Sequence, residues 1–418
     1  MLNKKISVFS GISIAVSMVV GSGLFGLPGL AIKATDPITA LLGWGLVIII
    51  LPSLIFVFSY LGQHHPSTEG LSLYASLGLG SWSKKGIMLL TCGTLLVGMP
   101  AFFLVGGSYI AKLAGLDIET WTIPCAILLV IVTTIINLSG LENLGWINKS
   151  VVAIVLIMAT LISAQALPIT IQEYLTVNSS HFNQVTLSGI WLSASIVFWA
   201  FQGWENLTFI FGEIDNPKRN IPIISWISFS IVALIYGILS LVVSAAALRG
   251  ENVANLAGVA ELLPDTLSGK ILLVIMVLIL VANANSWVFG CSRAFYAAAH
   301  AGVLPSSLKK VNIKGVPYSS LLYSMTAYIS VIVFIWLSKT GEQFWFLMTT
   351  QGFIILYGLS ILSFLKLSTG LLNKTIGIFS VISWFFLIHG FGYMIIYPIT
   401  LFIIGTLISI FNSKKTNN

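Results

Sequence analysis

Long apolar stretches alternate with short polar interruptions along nearly the whole chain. Each stretch approaches the roughly 20 residues that an α-helix needs to cross the hydrocarbon core of a bilayer. The pattern predicts twelve spans, numbered in chain order, at residues 9–32, 38–62, 85–111, 121–140, 147–168, 187–211, 221–248, 270–298, 319–338, 343–365, 374–391 and 393–411. The predicted fold class is therefore all-α, a polytopic membrane protein of about 12 transmembrane helices.

Two of these spans contain residues that do not favour a continuous helix. Span one includes Gly21, Gly23 and Pro28, and span six includes Gln202 followed by Gly203. In lipid every backbone N–H and C=O must find a partner, so such residues at mid-membrane depth indicate an interrupted helix. The freed carbonyls of one half and the freed N–H groups of the other suit the ammonium and the carboxylate of a small zwitterion. Close packing of a neighbouring helix is the alternative interpretation of the same glycines.

The distribution of Lys and Arg predicts the orientation of the spans. With the N-terminus in the cytoplasm, fifteen of the 20 basic residues fall at cytoplasmic ends and loops and five fall outside. This satisfies the positive-inside rule and places both termini in the cytoplasm, with the cytoplasmic (inner) membrane as the expected location. The same asymmetry accounts for the net charge of +7 without a nucleic-acid partner. The sequence does not predict an oligomeric state.

The composition indicates one membrane domain without a soluble one, because only 8% of the 418 residues are charged, against roughly 25% in soluble domains. Span one starts inside and span six outside, so the two interrupted spans should run in opposite directions, five spans apart. This arrangement is typical of a five-helix inverted repeat. Within a single transmembrane domain over residues 1–411, we expect a first repeat at 9–168, a second at 187–365, additional helices at 374–411 and a cytoplasmic tail at 412–418.

Glu205 is the acidic residue nearest the middle of a predicted span. An ionised carboxylate at the centre of a membrane helix costs about 2.5–3.5 kcal/mol, so Glu205 should face the interior of the bundle. It is a candidate for proton coupling or gating; the alternative is a structural hydrogen-bond acceptor that braces the interrupted helix. Since no other acid lies near mid-depth, a cationic substrate side chain would lack a counter-charge, which favours a neutral and apolar substrate.

Polar and aromatic residues near the two interruptions are further candidates. Asn283, Asn285, Ser286 and Ser292 lie in the apolar run of span eight, where they could line a polar path or coordinate an ion. Hydrogen bonds between helices explain these residues equally well. Trp199 and Trp204 flank the interruption of span six, and Trp287 lies in span eight. Together they would form an apolar wall, although most aromatic residues of membrane helices face lipid or the protein core.

The sequence does not indicate an enzyme. Cys92, Cys125 and Cys291 lie within spans, at spacings that suit neither a disulfide nor a metal site. No Ser, His and Asp share a membrane depth at which they could act together in nucleophilic catalysis. We therefore expect no catalytic residue, no metal and no cofactor.

Several motifs in order resemble those of the amino acid–polyamine–organocation transporter superfamily over nearly the whole chain. They are Gly21-Ser22-Gly23-Leu24-Phe25, His65-Pro66-Ser67-Thr68-Glu69-Gly70, Phe201-Gln202-Gly203-Trp204-Glu205, Asn216-Pro217-Lys218-Arg219-Asn220, and Asn285-Ser286 leading to Gly302-Val303-Leu304-Pro305. Within the superfamily the chain looks most like the bacterial exporters of methionine and branched-chain amino acids.

The resemblance implies a five-plus-five inverted repeat followed by two extra helices, with substrate bound between spans one and six. By position, Ser22 and Gly23 would bind the carboxylate, and carbonyls near Val19 and residues 199–202 the amine. Glu205 matches a family glutamate associated with proton sensing. The candidates for substrate binding are Val19, Ser22, Gly23, Trp199, Gln202, Gly203, Trp204 and Trp287, with Asn285 and Ser286 for an ion or polar path.

The expected function is therefore secondary active transport of neutral hydrophobic amino acids, driven by an ion gradient. Efflux by proton antiport is the leading hypothesis. Some sodium-independent members carry a lysine within span five that replaces a sodium ion, and this chain has none there, since Lys149 lies near the cytoplasmic end. Proton and sodium coupling both stay open on that ground. The alternatives are an importer or exchanger of small neutral amino acids or amines, and a sensor that binds amino acids without transporting them.

Overall fold

The computed structural model of the chain describes residues 6–67, 70–139, 145–389 and 392–416, which are almost entirely helical, as predicted. The α-helices are α1 (Val8–Val19), α2 (Ser22–Ala34), α3 (Pro37–His64), α4 (Leu71–Leu79), α5 (Ser83–Leu113), α6 (Ile118–Leu138), α7 (Gly145–Thr176), α8 (Leu187–Val197), α9 (Trp204–Leu207), α10 (Pro217–Leu248), α11 (Leu267–His300), α12 (Tyr318–Ser338), α13 (Glu342–Leu367), α14 (Leu371–His389) and α15 (Ile396–Thr416). Short 3-10 helices lie at Ser179–Phe182, Phe198–Phe201, Thr208–Glu213, Gly258–Leu262, Ser306–Lys309 and Gly392–Ile395. Thr68 and Glu69 of the second motif, the predicted ends of spans four and eleven, and residues 417–418 lie outside the described residues.

Ten segments of the described chain are long and apolar enough to cross a membrane, with α1 and α2 together forming the first. Predicted span five corresponds to α7, which is bent by 49° between Ala153–Ile162 and Ala166–Thr176. Predicted span six is divided into short helices, from α8 to the 3-10 helix Thr208–Glu213. These two segments complete the twelve predicted spans. The structure adds α4, a nine-residue helix that is too short to span a bilayer.

Polar side chains define where many of the helices begin. Ser7 caps α1 by accepting from the Ser10 N–H, and Asp36 caps α3 just before Pro37. Asp117 and Thr186 cap α6 and α8 in the same way. Each cap satisfies first-turn N–H groups that have no partner within the helix, and is typically worth about 1 kcal/mol.

The two interrupted spans lie against each other in opposite directions. The first half of span one, α1, contacts α9 in the second half of span six, whereas α2 contacts α8 in its first half. Beyond them, the Ile6 N–H donates to the Glu213 carbonyl at 3.2 Å, and the Asp215 N–H donates to the Ile6 carbonyl at 3.1 Å. The start of span one is thus paired with the end of span six. The antiparallel pairing is what an inverted repeat requires, and the division into repeats itself stays a prediction.

Three buried aromatic side chains fix span six against spans two and seven. The ring of Phe201 lies 5.9 Å from Trp44 on α3 and 5.0 Å from Tyr236 on α10, and those two rings are 5.5 Å apart. Tilted and edge-to-face pairs of this kind contribute about 0.5–1.5 kcal/mol each beyond their burial. The interruption of span six therefore lies in a well-packed part of the core.

Candidate substrate site

A cavity lies between the two interruptions. Its walls come from the end of α1 and start of α2, from residues 199–202 of span six, and from α5, α11 and α13. The lining residues are Met18, Val19, Gly21, Ser22, Gly23, Thr94, Leu95, Gly98, Met99, Phe102, Trp199, Gln202, Asn283, Trp287, Thr349 and Phe353. None of these side chains carries a charge.

The break in span one falls at Val20 and Gly21, where the backbone turns extended between α1 and α2. Breaking a helix leaves carbonyls at the end of its first half without intrahelical partners. Two side chains from other spans bind them here: the Tyr236 hydroxyl donates to the Val19 carbonyl at 3.0 Å, and the Asn283 amide donates to the Ser17 carbonyl at 3.2 Å. Neutral donors from spans seven and eight thus support the interrupted backbone.

The break in span six is built differently. The 3-10 helix Phe198–Phe201 ends at Gln202, whose backbone is extended. Gly203 then has φ +127°, a conformation that side chains disfavour, and a Cβ there would lie 2.8 Å from the Met18 carbonyl oxygen. Glycine at this position therefore lets the backbone of span six turn into α9 and pass close to the end of α1.

The two breaks approach each other so closely that side chains are excluded between them. A Cβ on Gly23 would lie 2.5 Å from the Ala200 Cα. Beside this contact, the Trp199 indole N–H donates to the Ser22 hydroxyl at 3.4 Å, and its ring packs edge-to-face on Phe346 at 5.1 Å. The glycine of span one and the tryptophan of span six together close one wall of the cavity.

Glu205 lies behind the break of span six and outside the cavity lining. It is only 4% exposed, and its Oε2 accepts from the Gly203 N–H at 3.0 Å and from the Tyr357 hydroxyl on α13. Its other carboxylate oxygen, Oε1, is buried without a hydrogen-bond partner among the described residues. The carboxylate therefore braces the interrupted backbone, as the structural interpretation expected. The same position connects any change in its protonation directly to the break.

The structure brings six of the eight predicted binding residues to the cavity. These are Val19, Ser22, Gly23, Trp199, Gln202 and Trp287. Gly203 shapes the break without lining the cavity, and Trp204 is buried 6.4 Å from the Phe229 ring, away from it. A substrate contact from these two residues stays a prediction that the geometry does not favour.

Asn285 and Ser286 do not line the cavity. The Asn137 amide on α6 donates to the Asn285 side-chain oxygen at 2.8 Å, which is the interhelical hydrogen bond considered as the alternative. Ser286 is exposed and donates to the Ala282 carbonyl of its own helix. Their proposed role in an ion or polar path stays a prediction, and Asn283 is the polar residue of span eight that reaches the cavity.

Sequence reasoning missed lining residues from spans three and ten. Thr94 on α5 and Thr349 and Phe353 on α13 face the cavity. Hydroxyl residues within apolar spans were the available signal, but most such residues donate to a carbonyl of their own helix, as Thr94 and Thr349 also do. Only the tertiary fold shows which of them face the cavity.

Two discontinuous, antiparallel spans around a central uncharged cavity define a multi-pass membrane transporter. A sequence profile of the family described as "Amino acid permease" matches residues 6–417, and the chain belongs to this family. The family and its relatives make the chain an amino-acid transporter, in agreement with the superfamily that the motifs predicted.

Over the aligned residues, the named relatives are about a quarter identical to the chain. It is 24% identical to "Uncharacterized amino acid permease YecA" of Bacillus subtilis (strain 168), over 79% of this chain and 77% of the relative. It is also 24% identical to "L-methionine/branched-chain amino acid exporter YjeH" of Escherichia coli (strain K12), over 62% of this chain and 61% of the relative. A third, "Gamma-aminobutyric acid permease" of Bacillus subtilis (strain 168), is 24% identical over 82% of this chain and 75% of the relative.

Proposed function

We propose that this transporter exports neutral hydrophobic amino acids of the methionine, leucine, isoleucine and valine type by proton antiport across the cytoplasmic membrane. The observation that carries the substrate class is the absence of a charged side chain among the residues that line the cavity. A charged substrate side chain would enter this site without a counter-charge, at a high desolvation cost. An aliphatic or thioether side chain would instead be buried against Met99, Phe102 and Phe353.

The interrupted backbone supports recognition of the zwitterion. The N–H groups of the first turn of α2, at Ser22 and Gly23, lie at the positive end of a helix and suit a carboxylate. On the other side, the end of α1 presents carbonyl oxygens, which suit an ammonium group. Polar backbone groups would thus bind the part that all amino acids share, while the apolar wall selects the side chain.

Proton coupling is proposed from the position of Glu205. In its ionised form the carboxylate accepts hydrogen bonds from the Gly203 N–H and the Tyr357 hydroxyl. Protonation weakens its capacity as an acceptor and turns one oxygen into a donor. Binding and release of a proton would therefore change how firmly the break of span six is supported, beside a wall of the substrate cavity.

The direction of transport is proposed from the resemblance to exporters, together with the printed name of one relative, the methionine and branched-chain amino-acid exporter. A second candidate function is import or exchange of small neutral amino acids or amines. The similarity to a γ-aminobutyric acid permease supports this candidate. The uncharged cavity argues against diamines, because the second ammonium group would lack a counter-charge. A counterflow panel in liposomes separates these substrate classes.

The test is uptake of radiolabelled methionine and leucine into everted membrane vesicles. In these vesicles the lumen corresponds to the outside of the cell, so an acidic lumen should stimulate uptake and an ionophore that collapses the gradient should remove the stimulation. Parallel proteoliposomes with imposed proton or sodium gradients identify the coupling ion. Uptake that does not depend on the pH gradient would overturn proton antiport. Saturable binding of amino acids without flux would indicate a sensor.

A further inference from the structure

Asn283 on α11 carries a polar atom that the fold leaves without a partner. The residue is 7% exposed, and its Oδ1 is buried with no hydrogen-bond partner among the described residues. The orientation of the amide is fixed by its other end: Nδ2 faces the Ser17 carbonyl at 3.2 Å, and a carbonyl can only accept. The group that points elsewhere is therefore the amide oxygen, an acceptor.

This oxygen lies at the break of span one. A Cβ on Gly21 would overlap Asn283 Oδ1, so the absence of a side chain at Gly21 is what admits the amide to this place. Asn283 and Gly21 both line the cavity, and Trp287, one helical turn further along α11, lines it as well. An unsatisfied acceptor thus lies beside the carbonyl end of α1, at the substrate cavity.

We propose that Asn283 is a substrate-binding residue whose amide oxygen accepts a hydrogen bond from the ammonium group of the amino acid. The inference rests on the proposed function, because it concerns the same cavity. A buried acceptor without a donor is costly, and an ammonium group supplies three donors and no acceptor. The nearby carbonyls of Ser17 and Val19 already accept from Asn283 and Tyr236, whereas no donor of the described residues reaches the amide oxygen.

The assignment orients the substrate. The ammonium group lies toward span eight and the end of α1, and the carboxylate lies toward the first turn of α2. Asn283 also joins two functions in one side chain, since its nitrogen supports the interrupted helix and its oxygen binds the ligand. A ligand that lacks an ammonium group would leave the oxygen unsatisfied, so the residue selects amino acids and amines over carboxylic acids.

The test measures binding to the full-length protein in nanodiscs by competition with a radiolabelled amino acid that the wild type binds, leucine first. The competitors are leucine, 3-methylbutylamine, which lacks the carboxylate, and 4-methylpentanoate, which lacks the ammonium group. In Asn283→Ala we expect the affinities for leucine and for the amine to fall about tenfold or more relative to that for 4-methylpentanoate, which loses only the support of α1. The matched control is Gly290→Ala on the same helix, where an added Cβ meets open space, and all three affinities should be retained.

A purely structural role gives a different pattern. If Asn283 only supports α1, Asn283→Ala will weaken all three ligands by the same factor, and this result would overturn the proposal; so would no change at all. Asn283→Asp keeps an acceptor for the ligand but loses the donor to the Ser17 carbonyl, so the preference for leucine and the amine over 4-methylpentanoate should be retained even if all three affinities fall. All measurements are repeated with sodium replaced by choline, and a sodium dependence that Asn283→Ala abolishes would assign the oxygen to a metal cation and overturn the ammonium contact.

Failure of the proposed function would give a different result from failure of the Asn283 assignment. If wild type ignores leucine and methionine but binds another amino acid of the panel, the hydrophobic substrate class is wrong, and the Asn283 test is run on that amino acid with its des-amino and des-carboxy analogues. If wild type binds no amino acid, both proposals are overturned.

Discussion

The two interrupted spans use different side chains to bind the backbone groups that are freed at their breaks. In span one, the carbonyls freed at the end of α1 accept from Tyr236 and Asn283, which belong to spans seven and eight. Span one then resumes as the 13-residue helix α2. Its supporting side chains are a tyrosine and an asparagine, which do not ionise near neutral pH, so they offer this break no proton-dependent support.

In span six, the support centres on an acidic side chain of the same span. The Gly203 N–H donates to the carboxylate of Glu205, two residues further along, and Tyr357 donates to the same oxygen. The chain continues only as the four-residue helix α9 and a 3-10 helix. An acidic group can gain a proton, and short helices have few internal hydrogen bonds. Under the proposed proton coupling, span one would be a fixed frame and span six the part that responds to protons.

The largest effect should come from forcing the two breaks apart. Gly23→Leu places a side chain against the Ala200 backbone, where even a Cβ would lie 2.5 Å from Cα. Overpacking costs about 1–3 kcal/mol, so we expect substrate affinity to fall on the order of a hundredfold. Leucine binding in nanodiscs measures this. Gly45→Ala on α3, where a Cβ meets nothing within 4 Å, is the control and should bind normally. Normal binding by Gly23→Leu would mean that the site lies elsewhere.

Glu205→Gln tests whether span six is the responsive part. The amide keeps an oxygen that can accept from the Gly203 N–H, so we expect binding to be retained. Because the side chain no longer binds and releases a proton, the stimulation of transport by a pH gradient should be lost entirely. Flux against external pH in proteoliposomes measures this, with Tyr357→Phe as the companion variant that removes a donor but keeps the acid. Wild-type pH dependence in Glu205→Gln would reduce Glu205 to a structural brace.

Tyr236→Phe tests the fixed frame of span one. The substitution removes the donor to the Val19 carbonyl and leaves the ring contacts with Trp44 and Phe201. A buried carbonyl without its donor costs about 1–3 kcal/mol, so the protein should unfold at lower temperature in detergent. The pH dependence of transport should stay that of wild type. A changed pH profile would show that the two breaks are not separable in the way the comparison holds.

The sequence was sufficient to predict the class, the spans and the places where two of them break. Hydropathy alone located the spans, and Gly21, Gly23 and Gly203 marked the breaks because glycine and proline are unfavourable within a membrane helix. The break of span six could be predicted although each of the helices that form this span is too short to cross a membrane by itself.

The partners of the breaks could not be predicted in the same way. Tyr236, Tyr357 and Asn283 reach the two breaks from other spans, and their chain positions carry no periodic signal for that contact. Asn283 and Asn285 illustrate the difficulty: two residues of the same type, two positions apart, differ by about 200° around the helix. One therefore faces the cavity and the other faces Asn137 on α6.

The smallest effect should come from the direct side-chain bond between the two breaks. The Trp199 N–H lies 3.4 Å from the Ser22 hydroxyl, at the long end of the hydrogen-bond range. In Trp199→Phe an aromatic ring opposite Phe346 remains, and the weak bond and the part of the indole near Gly98 are lost, so leucine affinity should fall less than about fivefold. Trp121→Phe, at a 43% exposed position on α6, is the matched control. A loss beyond tenfold would mean that span six depends on the hydrogen bond to span one, and the contrast between a fixed frame and a proton-responsive span supported through its own carboxylate would have to be given up.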